Sequence, residues 1–532
     1  MAGTPGEETS SIALFCKVWG FLKYYHPAVA SGKIDWDREF ISRVNALPPL
    51  TSKQETSRYY SSWINSLGEV RRCKTGERNI PDSLKQNCDL AWLRDTSVFT
   101  KVLTTQLNFI KENRNRRNNY YVQVNRHLRN TSYENEKPYA DSVFPSKNLR
   151  LLTLARYWNI INYFYPYKYG IGGNWDTVLT EMIPAFLHSA DTVSYQFAIL
   201  EMLAKINDSH SFVVAKYAVS LFGLKWAPFT FGIIDQKAVV TGFYNDSLCR
   251  QNDIRLGDVL LTADGKTIGD IIRERSKYIA ASNERGRLRN FYFAIFNGTA
   301  DSVTITFERN GVASKKTINR YLFKEFHYTW PSSNKTETYG ILENNIGYIN
   351  LGLLVPRQVA GVMKKLWHTK AIIFDLRSYP NETGLLLSKY LNPAPRPFAV
   401  FTEPDITYPG VFHNTKPCYC GKRNSKPYAG RVVLLMDERT QSQAEYTVMA
   451  LKTAPGAISI GSQTAGADGD VSYITLPGNY KTCMTGRGVF FPNGGMTQRV
   501  GLWPDRIVMP SVNGIKEGCD EVMDKALEFL NN

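Results

Sequence analysis

The segment VVLLMDERTQSQAEYTVMALKTAPG (432–456) holds the residue best placed to do chemistry. A buried strand is predicted to end at Met436, a polar loop follows, and a helix is predicted to begin near Ser442 and stop at Pro455-Gly456. A serine at a strand-to-helix turn lies where backbone N–H groups and the positive end of a helix favour negative charge. A serine nucleophile needs that setting, because the tetrahedral intermediate of acyl transfer carries an oxyanion. The same position also suits a serine that only caps the helix, and the segment taken alone leaves both readings open.

The elements that must position this serine read as several units. At 532 residues the chain exceeds one hydrophobic core. Its 43% hydrophobic and 21% charged content is that of a folded protein, and no stretch of 18 apolar residues predicts a membrane span. The start, MAGTPGEETSS, lacks the basic and apolar regions of a signal peptide. Residues 12–70 and 151–209 match at a constant offset of 139: Trp19 with Trp158, Pro27 with Pro166, Trp36 with Trp175, and Asp37 with Asp176. Both copies carry apolar residues at helical spacing, which predicts a first helical repeat at 1–88 and a second at 150–219.

Between them, residues 89–149 read as a basic linker with a short strand candidate at 119–124. The net charge is +16, and residues 71–130 hold thirteen Lys/Arg against five Asp/Glu. Arginines interleaved with tyrosines in KENRNRRNNYY could grip nucleic acid. With no accompanying motif, a solvated linker is the expectation and no nucleic-acid partner is expected. The eight cysteines form no metal-ligand pattern, so no metal and no cofactor are expected; a Cys73–Cys88 disulfide and free thiols are both open.

Residues 220–325 alternate short β-rich runs with turns. IRLGDVLLTADGKTI reads as turn, strand, Asp-Gly hairpin and strand. This resembles a PDZ domain, with Gly257, Asp258, Val259, Leu260 and Gly265 in the pattern's places. The resemblance implies a peptide-binding strand around Phe231 and Gly232 of FTFG. From 326 to 532 the pattern becomes α/β, with strand candidates 346–351, 371–376, 432–436 and 457–461.

Ser442-Gln443-Ala444-Glu445 resembles the nucleophile motif of the C-terminal processing and tricorn-core serine peptidases. AIIFDLRSYPNETG, ISIGSQTAGADG and RVGLWPD resemble further motifs of that family and fall in its order. The implied fold is multidomain α+β: duplicated helical domain, PDZ-like β domain and a C-terminal α/β core of crotonase/ClpP-like type. The processing branch activates serine with a lysine, but Ala467 stands in that place. The tricorn branch uses a histidine, and INDSHSF supplies His210, with Ser209 to orient the ring. The resemblance thus implies Ser442 as nucleophile and His210 as base. Gln498 stands in the place of the branch's relay glutamate, within reach of Ser209, and Asp208, Asp468 and Glu445 are alternatives for the third member. The amides of Gln443 and Asn381 are the implied oxyanion donors, Pro380 having no N–H and Asn381-Glu382 replacing the family's Gly-Gly. The implied function is hydrolysis of a protein or peptide substrate, in the periplasm or outside the cell. The competing reading is a peptide- or hydrophobe-binding protein on the same scaffold.

Overall fold

The computed structural model describes residues 5–48, 52–73, 80–213, 219–327 and 337–532. Its N-terminal layer is built on two helices, Pro5–Tyr25 and Lys147–Phe164. The second is buried over all but its first three residues, because it is sandwiched on every side. Each is followed by a helix opening on the shared Trp-Asp: Trp36–Asn45, capped by Asp35, and Trp175–Leu187, capped by Asn174. In both segments the two tryptophans exchange indole N–H bonds with each other's carbonyls. Trp19 and Trp36 do so at 3.2 and 3.1 Å, Trp158 and Trp175 at 2.8 and 3.0 Å.

Residues related by the offset of 139 also meet across the layer. Lys17 pairs with Asp176 and Arg156 with Asp37. The Tyr24 and Tyr163 rings meet edge-on at 5.5 Å. A Cβ on Gly20 would lie 1.7 Å from Asn159 Oδ1, so the helices cross closely only because that residue is glycine.

The expected linker is instead a packed part of the molecule. It forms a helix, Lys101–Glu112, whose Leu103, Leu107 and Ile110 are buried. Of the strand candidate at 119–124, only Gln123–Val124 pairs, with Thr131–Ser132. The segment covers a face of the first helical segment: Thr100 N–H bonds Ser57 Oγ, Phe99 meets Tyr60, and Trp92 lies under the Lys17 ammonium. In the second segment the offset-equivalents of Ser57 and Lys17, Gln196 and Arg156, bond a hairpin of the C-terminal core at Tyr480 and Thr475. Each segment exposes an apolar face that something must cover. The run's charge is also partly spent internally: Arg114 is buried, stacks on Tyr408 and donates to Thr407 O. All eight cysteines are free thiols, so the Cys73–Cys88 pairing is not formed.

In the β-rich region, strands Phe229–Ile234, Lys237–Phe243, Val259–Ala263, Ser302–Arg309 and Val312–Asn319 form an antiparallel sheet in that order. Asp264 and Gly265 turn with φ of 46° and 82°, the left-handed pair a tight hairpin needs. Among the described residues strand Phe229–Ile234 is an edge with one neighbour, and helix Glu284–Asn290 packs by it.

The core is a six-stranded sheet in the order Tyr339–Leu342, Ile346–Asn350, Ala371–Asp375, Arg431–Met436, Ile458–Gly461, Arg506–Ile507. All pairings are parallel except the first. Its central strands are buried on both faces. Ile372, Phe374, Leu434 and Met436 face helices Gly384–Leu391 and Gln443–Leu451, while Ile373, Val433 and Leu435 face Glu521–Asn531. A hairpin, Val471–Leu476 and Tyr480–Thr485, leaves this core and buries Ile474, Leu476, Tyr480 and Met484 among the N-terminal helices.

Candidate active site

Ser442 lies past the carboxyl end of strand Arg431–Met436, where crevices of parallel sheets form. Its φ of 57° and ψ of −122° are strained for a residue with a side chain. Two bonds hold that turn: Ser442 N–H donates to Ala467 O at 2.8 Å and to Glu445 Oε2 at 3.2 Å. Among the described residues the Ser442 hydroxyl makes no capping bond, so it is not spent on the helix. Glu445 is fully buried and accepts from Thr464 Oγ1 (2.5 Å), Gly466 N (2.9 Å) and Ala467 N (3.0 Å) as well. Burial pushes its carboxyl up, and these donors pull it down. The glutamate of the motif thereby fastens the 464–467 turn to the start of the serine helix. Thr440, bonded to Leu376 O, ties the loop to the neighbouring strand.

His210 follows helix Thr192–Ala204 in a turn entered at Asn207, φ 49°. The turn is held by the hairpin from the core: Val213 bridges to Thr482, and Cys483 Sγ donates to His210 O. Asp208 is fully buried and accepts from four donors: His210 N at 3.0 Å, Thr485 N at 2.6 Å, Thr485 Oγ1 at 3.0 Å and Gln498 Nε2 at 3.2 Å. With its hydroxyl proton given to Asp208, Thr485 Oγ1 is left to accept at 2.9 Å from His210 Nδ1. This chain, Nδ1–H to threonine to aspartate, places the ring proton on Nδ1 and leaves the Nε2 lone pair as a base. Burial lowers the pKa of His210, Asp208 raises it, and the Arg289 guanidinium lowers it further. The net direction is down, so the imidazole is neutral near pH 7.

The serine and histidine loops touch. Gln441, beside Ser442, donates through Nε2 to the carbonyl of Ser209, beside His210, at 3.4 Å. Ser209 Oγ also contacts Ala465 O at 3.3 Å. Among the described residues no hydrogen bond joins the Ser442 hydroxyl to the imidazole directly.

Two expected roles are corrected. The Ser209 hydroxyl does not hold the ring; it accepts from Ser282 N at 2.8 Å while Ser209 N–H donates to Ser282 Oγ at 2.8 Å. Gln498 does not reach Ser209; its amide donates to Asp208 Oδ1, Ser282 Oγ and Tyr165 OH. Asp208 already holds the anion's place, and a donor rather than a second carboxylate fits beside it. Among the described residues no hydrogen bond joins Asp468 to the imidazole chain; it accepts from Gly469 N, and its carboxyl is pushed well up by burial and then by Glu445.

The Gln443 amide opens the serine helix and has no acceptor among the described residues; neither has the Asn381 amide. Asn381 is fixed through Nδ2 to Gly352 O and Leu354 O, and Glu382 takes the left-handed backbone, φ 58°, that the usual glycine would supply. Phe231 and Gly232 lie on the edge strand, opposite Val240 and Val239, with the Phe231 ring against Phe296. Thr485, Ser282, Arg289 and Gln441 were not singled out from sequence, and no local pattern marks them. Among the described residues no three His, Cys, Asp or Glu side chains are grouped to hold a metal, and no helix is long and apolar enough to cross a membrane.

The sequence model of peptidase family S41 matches residues 345–508. No curated protein matches. Among solved structures, mature CPAF is similar over 73% of this chain and 98% of its own, at 14% identity and TM-score 0.55. Mature CPAF complexed with lactacystin is similar over 73% and 99%, at 14% identity and TM-score 0.54. At these identities the likeness is one of fold.

Proposed function

We propose that this chain is a serine-type peptidase of family S41, whose sequence model matches residues 345–508, and that it hydrolyses peptide bonds through an acyl-enzyme on Ser442, with His210 as general base. The observation that carries this reading is the His210–Thr485–Asp208 chain, which among the described residues leaves Nε2 free while the adjoining loop bears a serine hydroxyl with no cap bond. Nε2 takes the Ser442 proton as Oγ attacks the carbonyl carbon, and the new oxyanion is met by the amides of Gln443 and Asn381. The imidazolium is stabilised through Thr485 by Asp208 and returns its proton to the leaving amine. Water then attacks the acyl-enzyme with the same base.

The proposal includes a duplicated helical domain at 1–88 and 150–219, supported by the paired tryptophan bonds and by equivalent residues meeting across the layer. It includes a PDZ-like module at 220–325 whose edge strand, with Phe231 and Gly232, adds a substrate peptide as a further strand. The peptidase core is 326–532, the substrate a protein or peptide. Export to the periplasm or beyond completes the reading on family resemblance, and cell fractionation tests it.

The second reading, a binding protein on this scaffold, draws on the missing Ser442–His210 hydrogen bond and on Glu382 in the oxyanion turn. A fluorophosphonate probe decides. Labelling and casein hydrolysis that both vanish in Ser442→Ala, with the melting temperature unchanged, support the peptidase; wild-type protein that neither labels nor cleaves supports the binder.

A further inference from the structure

The three segments that must align for this chemistry meet at one side chain, Gln441. Its Oε1 accepts from Arg289 Nη2 at 2.8 Å, and its Nε2 donates to Ser209 O at 3.4 Å. Arg289 comes from helix Glu284–Asn290 beside the β-rich sheet, and its Nη1 donates to Glu438 O at 2.8 Å, gripping the loop before the nucleophile. Among the described residues Arg289 has no carboxylate at ion-pair distance, and its remaining partner is Asn290 Oδ1. A guanidinium directed at a neutral amide and a carbonyl spends its directionality on geometry rather than on charge pairing. Serine loop, histidine loop and β-rich region are thus tied by two consecutive bonds through one amide.

We propose that Gln441 and Arg289 are positioning residues of the peptidase: Gln441 sets the separation of the Ser442 and His210 loops, and Arg289 holds Gln441 in the rotamer that does so. The inference rests on the Ser442–His210 reading above. Gln441 is suited to the task because its amide accepts at one end and donates at the other, so Arg289 and the Ser209 carbonyl select a single orientation. Neither residue reaches the reacting atoms. Their effect is on the approach of Oγ to Nε2, where a misplacement of about 1 Å costs ~10²-fold in rate. Arg289 has a second effect, since its charge acts on the imidazole against that of Asp208 and lowers the pKa of the base.

The test measures kcat and KM on a chromogenic peptide, the pH profile of kcat/KM and the rate of fluorophosphonate labelling, for Gln441→Ala, Arg289→Ala, Arg289→Lys and the double alanine variant. Expected is a ~10- to 100-fold fall in kcat for each alanine variant with KM changed little. The double variant should be no worse than the singles, because the two act in series. Arg289→Ala should also move the acid limb of the profile to higher pH, because it removes the charge that lowers the imidazole pKa. Arg289→Lys should keep the limb in place while recovering only part of kcat. Gln441→Ala and Arg289→Ala with wild-type kcat, or losses that multiply in the double variant, overturn the inference. If Arg289→Ala does not fold, Gln441→Ala and Arg289→Lys carry the test. Ser442→Ala is measured alongside: if it retains wild-type hydrolysis the underlying reading fails, whereas if it is dead and the positioning variants are normal only this inference fails.

Discussion

Replacing Thr485 by valine isolates the link between base and anion. Valine keeps the shape of threonine and removes only the hydroxyl that accepts from His210 Nδ1 at 2.9 Å and donates to Asp208 at 3.0 Å. Asp208 retains three donors, the amides of His210 and Thr485 and the Gln498 side chain, so the turn stays in place. What is lost is the ring's tautomer control and the route by which Asp208 steadies the imidazolium. A hydrogen bond to a charged group contributes about 1.5–3 kcal/mol, and at about 1.4 kcal/mol per decade this predicts a ~10- to 150-fold fall in kcat/KM. The acid limb of the pH profile should also move. In the wild type, burial holds the His210 pKa below its ordinary 6.5, so activity rises with pH through a limb below that value. Without the hydroxyl the imidazolium loses its acceptor, and the limb should fall further. Thr485→Ser, which restores the hydroxyl, should recover most of the rate. The assay is kcat/KM on a chromogenic peptide from pH 4.5 to 8.5, with labelling by a fluorophosphonate as a substrate-independent check. A Thr485→Val enzyme within twofold of wild type, with an unmoved limb, would refute the relay.

Further outcomes follow from the same geometry. Gln498→Glu should lower activity and stability rather than raise them, because it sets a carboxylate against Asp208 Oδ1 where an amide now donates at 3.2 Å; steady-state kinetics and urea unfolding check this. Glu445→Ala should leave three buried donors, Thr464 Oγ1 and the amides of Gly466 and Ala467, without an acceptor and cost several kcal/mol at about 1–3 each, read from the urea midpoint. The offset-related ion pairs should differ sharply under truncation. Arg156→Met removes the ion-pair partner of buried Asp37, leaves buried Glu136 with Lys23 alone, and should cost about 3–5 kcal/mol, while Lys17→Met breaks a pair with a half-exposed Asp176 and should cost under about 1 kcal/mol, both by chemical denaturation. Lowering pH through 6.5 should reduce stability further in the wild type than in His210→Phe. The buried neutral imidazole has a depressed pKa, so the unfolded chain takes up a proton there first, and urea midpoints at pH 7.5 and 5.5 measure the difference.

Much of the site was readable locally. The serine turn is written in one stretch of chain, since strand, polar loop and helix succeed each other within 432–451, and the residue periods that form them are short-range. The helical segments were equally legible, because a gapless offset of 139 survives in tryptophans whose indoles bond within each copy. The reading failed on residues 89–149, where charge and asparagine content suggested solvent. Local composition does not reveal that the first helical segment has an apolar face without a core hairpin to cover it, and that Phe99, Leu103 and Leu107 supply the cover.

The sequence by itself determined the identities, the local turns and the order of the parts: a serine opening a helix, a histidine two residues after an aspartate, two helix pairs with matching Trp-Asp positions. Only the tertiary structure decided who their partners are. Thr485 stands 275 residues from His210 along the chain, and Gln441 stands 232 from Ser209, so neither bond leaves a periodic trace. Those contacts arise because a hairpin with apolar Ile474, Leu476 and Met484 gains by leaving the core sheet for the helical layer, and it brings a hydroxyl under the imidazole as it docks.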